Sequence, residues 1–211
     1  MTAAHAIGDN ARRWFLQILP EYLVSLLAAG LVVFLGMHCV PAFPNLRRGL
    51  VARLGDGRYK ALFSLASAAG LAMIVAGYAQ APATERVFAP NATAIAMAPM
   101  AVTLAFILFA AANMRGYLRH ALGHPMLLGL AVWATVHLLA NGDLRGTLLF
   151  GAFLAYAVLD LASAISRHAV KPFVPSLKFD IMAIVGGVLV ALAVMTVHRV
   201  LFGIRVVAFG V

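Results

Sequence analysis

Four ionisable side chains stand inside or at the mouth of long apolar stretches of this sequence: His38, His124, His137 and Asp160. A charge or strong dipole in hydrocarbon is costly, so each is a candidate for chemistry rather than decoration. His38 shares a helical face with Phe34 and Gly30, and two readings stand for it: a boundary histidine donating to a backbone carbonyl, or a ligand. His137 lies near the end of Pro125–Asn141 on a face with Leu130, Trp133 and Ala134. Small Ala134 beside flat Trp133 leaves room for a planar ligand or for a neighbouring helix; the alternative is an imidazole satisfied within helix packing.

The remaining groups are less promising. His124 precedes Pro125, where it either caps the helix or faces headgroups; thirteen residues of helix put it ~20 Å from His137 on a different face, so the two cannot share one metal. Asp160 has Tyr156 one turn behind it and Arg167 seven residues ahead, which reads as a carboxyl neutralised or held by a neighbour. A proton or ion pathway through Asp160, Tyr156 and His137 is the functional alternative. His198, beside Arg199, reads as interfacial, and nothing is assigned to His5, His120 or His168. Cys39 is the one cysteine, so no internal disulfide can form; it points about 100° away from His38 on a helix and makes a poor joint ligand with it.

Two buried imidazoles from different helices suit a haem iron, which takes neutral nitrogen donors above and below a flat macrocycle in an apolar slot. Its propionates need cations, and Arg47, Arg48, Arg115 and Arg119 are available.

The elements that would position these residues are membrane helices. Of the 211 residues, 64% are hydrophobic and 11% charged, against roughly 25% charged in soluble domains. About twenty residues at 1.5 Å rise cross a hydrocarbon core of about 30 Å, and six apolar stretches recur, at 22–40, 61–80, 97–114, 125–140, 147–166 and 181–202. The fourth is somewhat short; Pro125 suits its first turn, and Asn141-Gly142-Asp143 is turn chemistry at its far end. The expected fold is an all-α polytopic membrane helix bundle of about six spans. Residues 1–20, with Arg12-Arg13 before Trp14 and Phe15, read as an interfacial segment rather than a cleaved signal, followed by a membrane domain over 21–211.

The net charge of +9 reports loops facing anionic lipid, not nucleic acid. Alternate joins carry ten Lys/Arg (Arg47, Arg48, Arg53, Arg58 and Lys60, then Arg115 and Arg119, then Arg167, Lys171 and Lys178) against six on the other side, including Arg12, Arg13, Arg145 and Arg205. The positive-inside rule then predicts an inner-membrane protein with both termini periplasmic. Ser64, Ser67, Gly70 and Gly77 leave one face of the second span shallow enough for a helix backbone to approach, and Gly129, Thr135, Gly151, Gly186 and Gly187 extend that economy elsewhere. No internal repeat supports a transporter built from paired halves.

The order Gly36-Met37-His38, then Arg53-Leu54-Gly55-Asp56-Gly57-Arg58-Tyr59-Lys60-Ala61-Leu62-Phe63-Ser64-Leu65, then Gly77-Tyr78, then His124-Pro125 with Leu128-Gly129, then Leu130 through Asp143 with Trp133 and His137 inside it, resembles the NnrU domain. The resemblance covers nearly the whole chain beyond the first twenty residues. It implies a link to denitrification, through the expression or activity of nitrite and nitric oxide reductases, and a kinship with plant zeta-carotene isomerase. That isomerase is a membrane protein that holds haem b on two histidines and carries out a redox-dependent cis-to-trans isomerisation. Carried over residue by residue, the two ligands fall on His38 and His137. Ala134 stands where the isomerase has a cysteine, and Gly123 replaces the arginine usual before the His-Pro pair, with Arg119 the nearest substitute.

Several functions therefore compete. The first is a haem b membrane protein serving nitrogen-oxide respiration, or an isomerase-like redox enzyme, with His38, His137 and Trp133 at the cofactor. The second is a non-catalytic accessory or assembly protein for a partner reductase. A membrane methyltransferase shares the His-Pro helix start, but those enzymes add an acidic, Tyr-rich segment where this chain offers only Asp160 and Asp180.

Overall fold

The computed structural model describes the backbone of residues 3–170 and 172–202 and the side chains of 21–170 and 172–200. Lys171, Arg205, the side chains of Arg12 and Arg13, and the interfacial character expected of residues 1–20 lie outside the described residues. Every regular element among those described is helical. They are α1 (Ala3–Cys39), a single 3-10 turn at Val40–Ala42, α2 (Pro44–Leu54), α3 (Asp56–Gln80), α4 (Ala92–Ala112), α5 (Tyr117–Leu122), α6 (Pro125–Asn141), α7 (Leu144–Ser166) and α8 (Leu177–Phe202).

Five of these contain stretches long and apolar enough to cross a bilayer, Glu21–Ala42, Asp56–Gln80, Ala92–Ala112, Leu144–Ser166 and Leu177–Val200, and Pro125–Asn141 is a shorter apolar helix. The protein is thus an all-α, multi-pass membrane protein. α4 begins at Ala92, earlier than the apolar pattern from 97 suggests, because the Asn91 side chain accepts the Ala94 N–H at 2.9 Å and caps the helix. α6 starts on Pro125 and stops where Gly142 turns left-handed with φ 73°, as its end residues predict.

By contacts the chain divides into two compact units, Met1–Glu85 with Asp143–Leu149, and Arg86–Gly142 with Phe150–Val211. In the first unit α1 packs on α3 through glycines. A Cβ on Gly77 would stand 2.6 Å from the Leu27 nitrogen, and one on Gly30 2.7 Å from the Ile74 nitrogen, so the backbones meet as closely as the small residues of the second span suggest. α2 folds against α3, burying Tyr59. Leu144 N–H bonds Glu85 O at 2.9 Å, and one Arg145 nitrogen donates to Tyr78 O and Ala81 O at 3.0 and 2.9 Å while the guanidinium lies over the Tyr78 ring. Those two carbonyls belong to the last turns of α3 and its cap, where a helix leaves acceptors unsatisfied and favours a cation.

In the second unit α4 is the hub, with α6 and α8 packed against it. Gly129 and Gly187 admit Ala105–Leu108 and Ile107 of α4 at close range, and Val102, Val136, Ala191 and Met195 form the core. Gly151 and Gly186 face open space and Thr135 is exposed, so these three do not serve the packing expected of them. The outward surface is instead apolar, with Leu159 70%, Leu189 61% and Val200 86% exposed, because the surrounding solvent is lipid. Asp180 is the buried charged side chain of the described core: its oxygens accept Tyr117 N–H and Leu118 N–H at 2.8 and 2.9 Å, holding the first turn of α5.

Candidate functional site

Helix geometry places the backbone carbonyl of residue i−4 beneath a side chain at i, and an imidazole at i can donate to it. His38 does so: its Nδ1 stands 2.7 Å from Phe34 O. A carbonyl only accepts, so Nδ1 carries the proton, and in the neutral ring Nε2 carries the lone pair. The ring lies 4.3 Å from the Phe34 ring and 5.3 Å from that of Phe63 on α3, centroid to centroid.

His137 is built the same way in the second unit. Its Nδ1 lies 2.8 Å from Trp133 O, and its ring sits 5.0 Å from Trp133 and 4.9 Å from Phe150 of α7. Phe150 and Phe153 meet the indole edge-on at 5.1 and 5.8 Å. Each histidine is therefore held by an aromatic four residues earlier and flanked by a phenylalanine from the next long helix of its own unit.

The end of α6 that carries His137 is clamped. Asn141 Nδ2 donates to His137 O at 2.6 Å, Asn91 N–H to Leu139 O at 2.9 Å, and Val87 and Phe88 N–H to Gly142 O at 2.9 and 3.2 Å. Carbonyls that a helix terminus would leave unsatisfied are thereby paired, which fixes the imidazole's helix end. Ala134 is fully buried, so of the two uses for that small residue the packed helix is the one realised on its face.

The other candidates separate cleanly. Asp160 accepts the Tyr156 hydroxyl at 3.2 Å and has Arg167 at 3.9 Å, which is the held carboxyl expected from the spacing. His124 occupies the N-cap position of α6, but its side chain makes no capping hydrogen bond. The Arg119 guanidinium lies 5.3 Å from the Phe173 ring centroid. Arg47 stacks over Tyr59 and Arg48 donates to Asn45, both in the first unit, whereas Arg115 is exposed in the second. His198 is half-buried.

Sequence reasoning also missed the second aromatic wall, Phe63 for His38 and Phe150 for His137. The available signal was local: an aromatic four residues before each apolar-span histidine, and a phenylalanine pair, Phe150 and Phe153, three apart on the following helix.

Among the described residues no group of three or more His, Cys, Asp or Glu side chains gathers to hold a bare ion. Each of the two oriented imidazoles, set among aromatic rings, is by its chemistry able to hold a metal that brings its own equatorial nitrogens, the fit a haem would require.

Comparison with curated proteins and with solved structures finds no match. The family model for the NnrU protein matches residues 26–206, a span that takes in His38, His137, the last part of α1 and every helix from α2 to α8. A match of that length over a multi-pass membrane chain leaves one conclusion: this protein belongs to the NnrU family.

Proposed function

We propose that this NnrU-family membrane protein binds haem b, with His137 and His38 each a residue that would hold its iron, and serves the reduction of nitrite and nitric oxide. The observation that carries this reading is the shared build of the two imidazoles: Nδ1 at 2.8 and 2.7 Å from an i−4 carbonyl, and the ring set between aromatics. Metal-ligating histidines engage their second nitrogen in this manner, which sets the tautomer and raises ligand basicity. When bound, haem would supply one-electron chemistry or a site for a small gaseous ligand. The chain's own part is to orient the imidazoles and to keep water away with Trp133, Phe150, Phe34 and Phe63. Arg47, Arg48, Arg115 and Arg119 are the cations available to the propionates.

The test uses the living system. In a denitrifying host lacking the chain, the intact protein should restore consumption of nitrite and nitric oxide, and His38→Ala and His137→Ala should not, at equal membrane levels. Full restoration by both variants would overturn the haem role and leave the non-catalytic accessory reading, which needs no ligand.

A further inference from the structure

Between the end of α1 and the start of α3 lies a shallow pocket of about 200 Å³, lined by Pro41, Arg47, Tyr59, Lys60, Phe63 and Ser64. Its walls are of two kinds. Arg47 and Lys60 bring positive charge and Tyr59 and Ser64 bring hydroxyls, while Pro41 and the Phe63 ring are apolar. The Arg47 guanidinium carbon stands 5.8 Å from the Tyr59 ring centroid, so the buried tyrosine steers the cation toward the pocket. Lys60 pairs with Asp56 at 2.6 Å on a strongly exposed surface and is free to swing, since exposed pairs of this kind are worth little. Neighbouring Arg48 is occupied with Asn45 and does not line the cavity.

The surroundings identify the occupant. The pocket sits where the span Asp56–Gln80 begins, beside exposed Phe43 and Leu46 of the α2 region and exposed Leu62 and Leu65 of α3. Residues 41–60 carry five Lys/Arg against Asp56 alone. By the positive-inside rule such a join belongs to the cytoplasmic leaflet, where the anionic lipids are. We infer that this pocket is a binding site for the phosphate of an anionic phospholipid, with Arg47 as the principal cation, Lys60 as the second, and the acyl chains running along the exposed apolar side chains. A cavity of this size accepts a phosphoglycerol head and not a macrocycle; Arg47 and Phe63 are shared with the haem reading, but lipid binding read by mass does not depend on haem.

The experiment is lipid binding to the full-length chain in detergent, read by native mass spectrometry with titrated phosphatidylglycerol, phosphatidylcholine or inorganic phosphate. Phosphatidylglycerol should bind roughly tenfold more tightly than phosphatidylcholine, and inorganic phosphate at equal concentration should not displace it. Arg47→Gln should weaken phosphatidylglycerol about tenfold, whereas Arg53→Gln, an exposed α2 cation outside the pocket, should change it less than about threefold. Equal binding of the two lipids, equal losses in the two variants, or displacement by inorganic phosphate would each overturn the assignment.

Discussion

The Nδ1 of His137 lies 2.8 Å from the carbonyl oxygen of Trp133, one helical turn earlier, and the two rings stand 5.0 Å apart. His38 and Phe34 repeat this relationship at 2.7 and 4.3 Å in the other compact unit. A backbone carbonyl accepts from each imidazole, so no additional polar residue has to be buried to fix the tautomer.

The Trp133 side chain contributes packing, while its backbone contributes the hydrogen bond. Trp133→Phe should therefore keep the imidazole oriented with little loss, whereas Trp133→Ala should remove the indole from between His137, Phe150 and Phe153 and cost about 2–3 kcal/mol, somewhat below a fully buried aromatic truncation. Thermal unfolding in detergent, with His137 ring resonances followed by NMR, separates the two variants. Equal destabilisation by both would contradict this division of labour.

Two glycines on the long helices of the first unit should behave in opposite ways. A Cβ at Gly77 meets Leu27 backbone at 2.6 Å, so Gly77→Ala must push α1 from α3 and should cost about 1–3 kcal/mol. Gly36 faces open space, and Gly36→Ala should be neutral or stabilising by up to about 1 kcal/mol through helix propensity. Paired melting curves check this; a harmless Gly77→Ala would refute the close crossing.

Asp180 is expected to be structural. Removing its carboxylate strands the Tyr117 and Leu118 amides, so Asp180→Ala should cost about 1–3 kcal/mol and speed hydrogen exchange at those two N–H groups, with Asp160→Ala leaving them unchanged. Unaltered exchange at Tyr117 and Leu118 in Asp180→Ala would contradict the anchoring role.

Much of this was legible in the residues themselves. Apolar runs of spanning length, Pro125 at a helix start and Gly142 past a helix end gave α6 its limits, and the glycines of the second span announced the α1–α3 crossing. His38 and His137 stood out because ionisable groups in hydrocarbon are rare. Partnerships across the chain were hidden: Asp180 finds amides 62 and 63 residues away, and Arg145 finds carbonyls 64 and 67 residues away. No local periodicity encodes such pairs. Gly151 and Gly186 looked like packing residues yet face open space, because small size permits a close approach without compelling one.

The most direct test of the account is the absorption spectrum of the intact protein, purified from haem-replete cells, before and after reduction. A Soret band that shifts on reduction is expected, retained in His124→Ala and lost or strongly altered in His137→Ala and in His38→Ala. A colourless, haem-free preparation, or a spectrum indifferent to both substitutions, would contradict it.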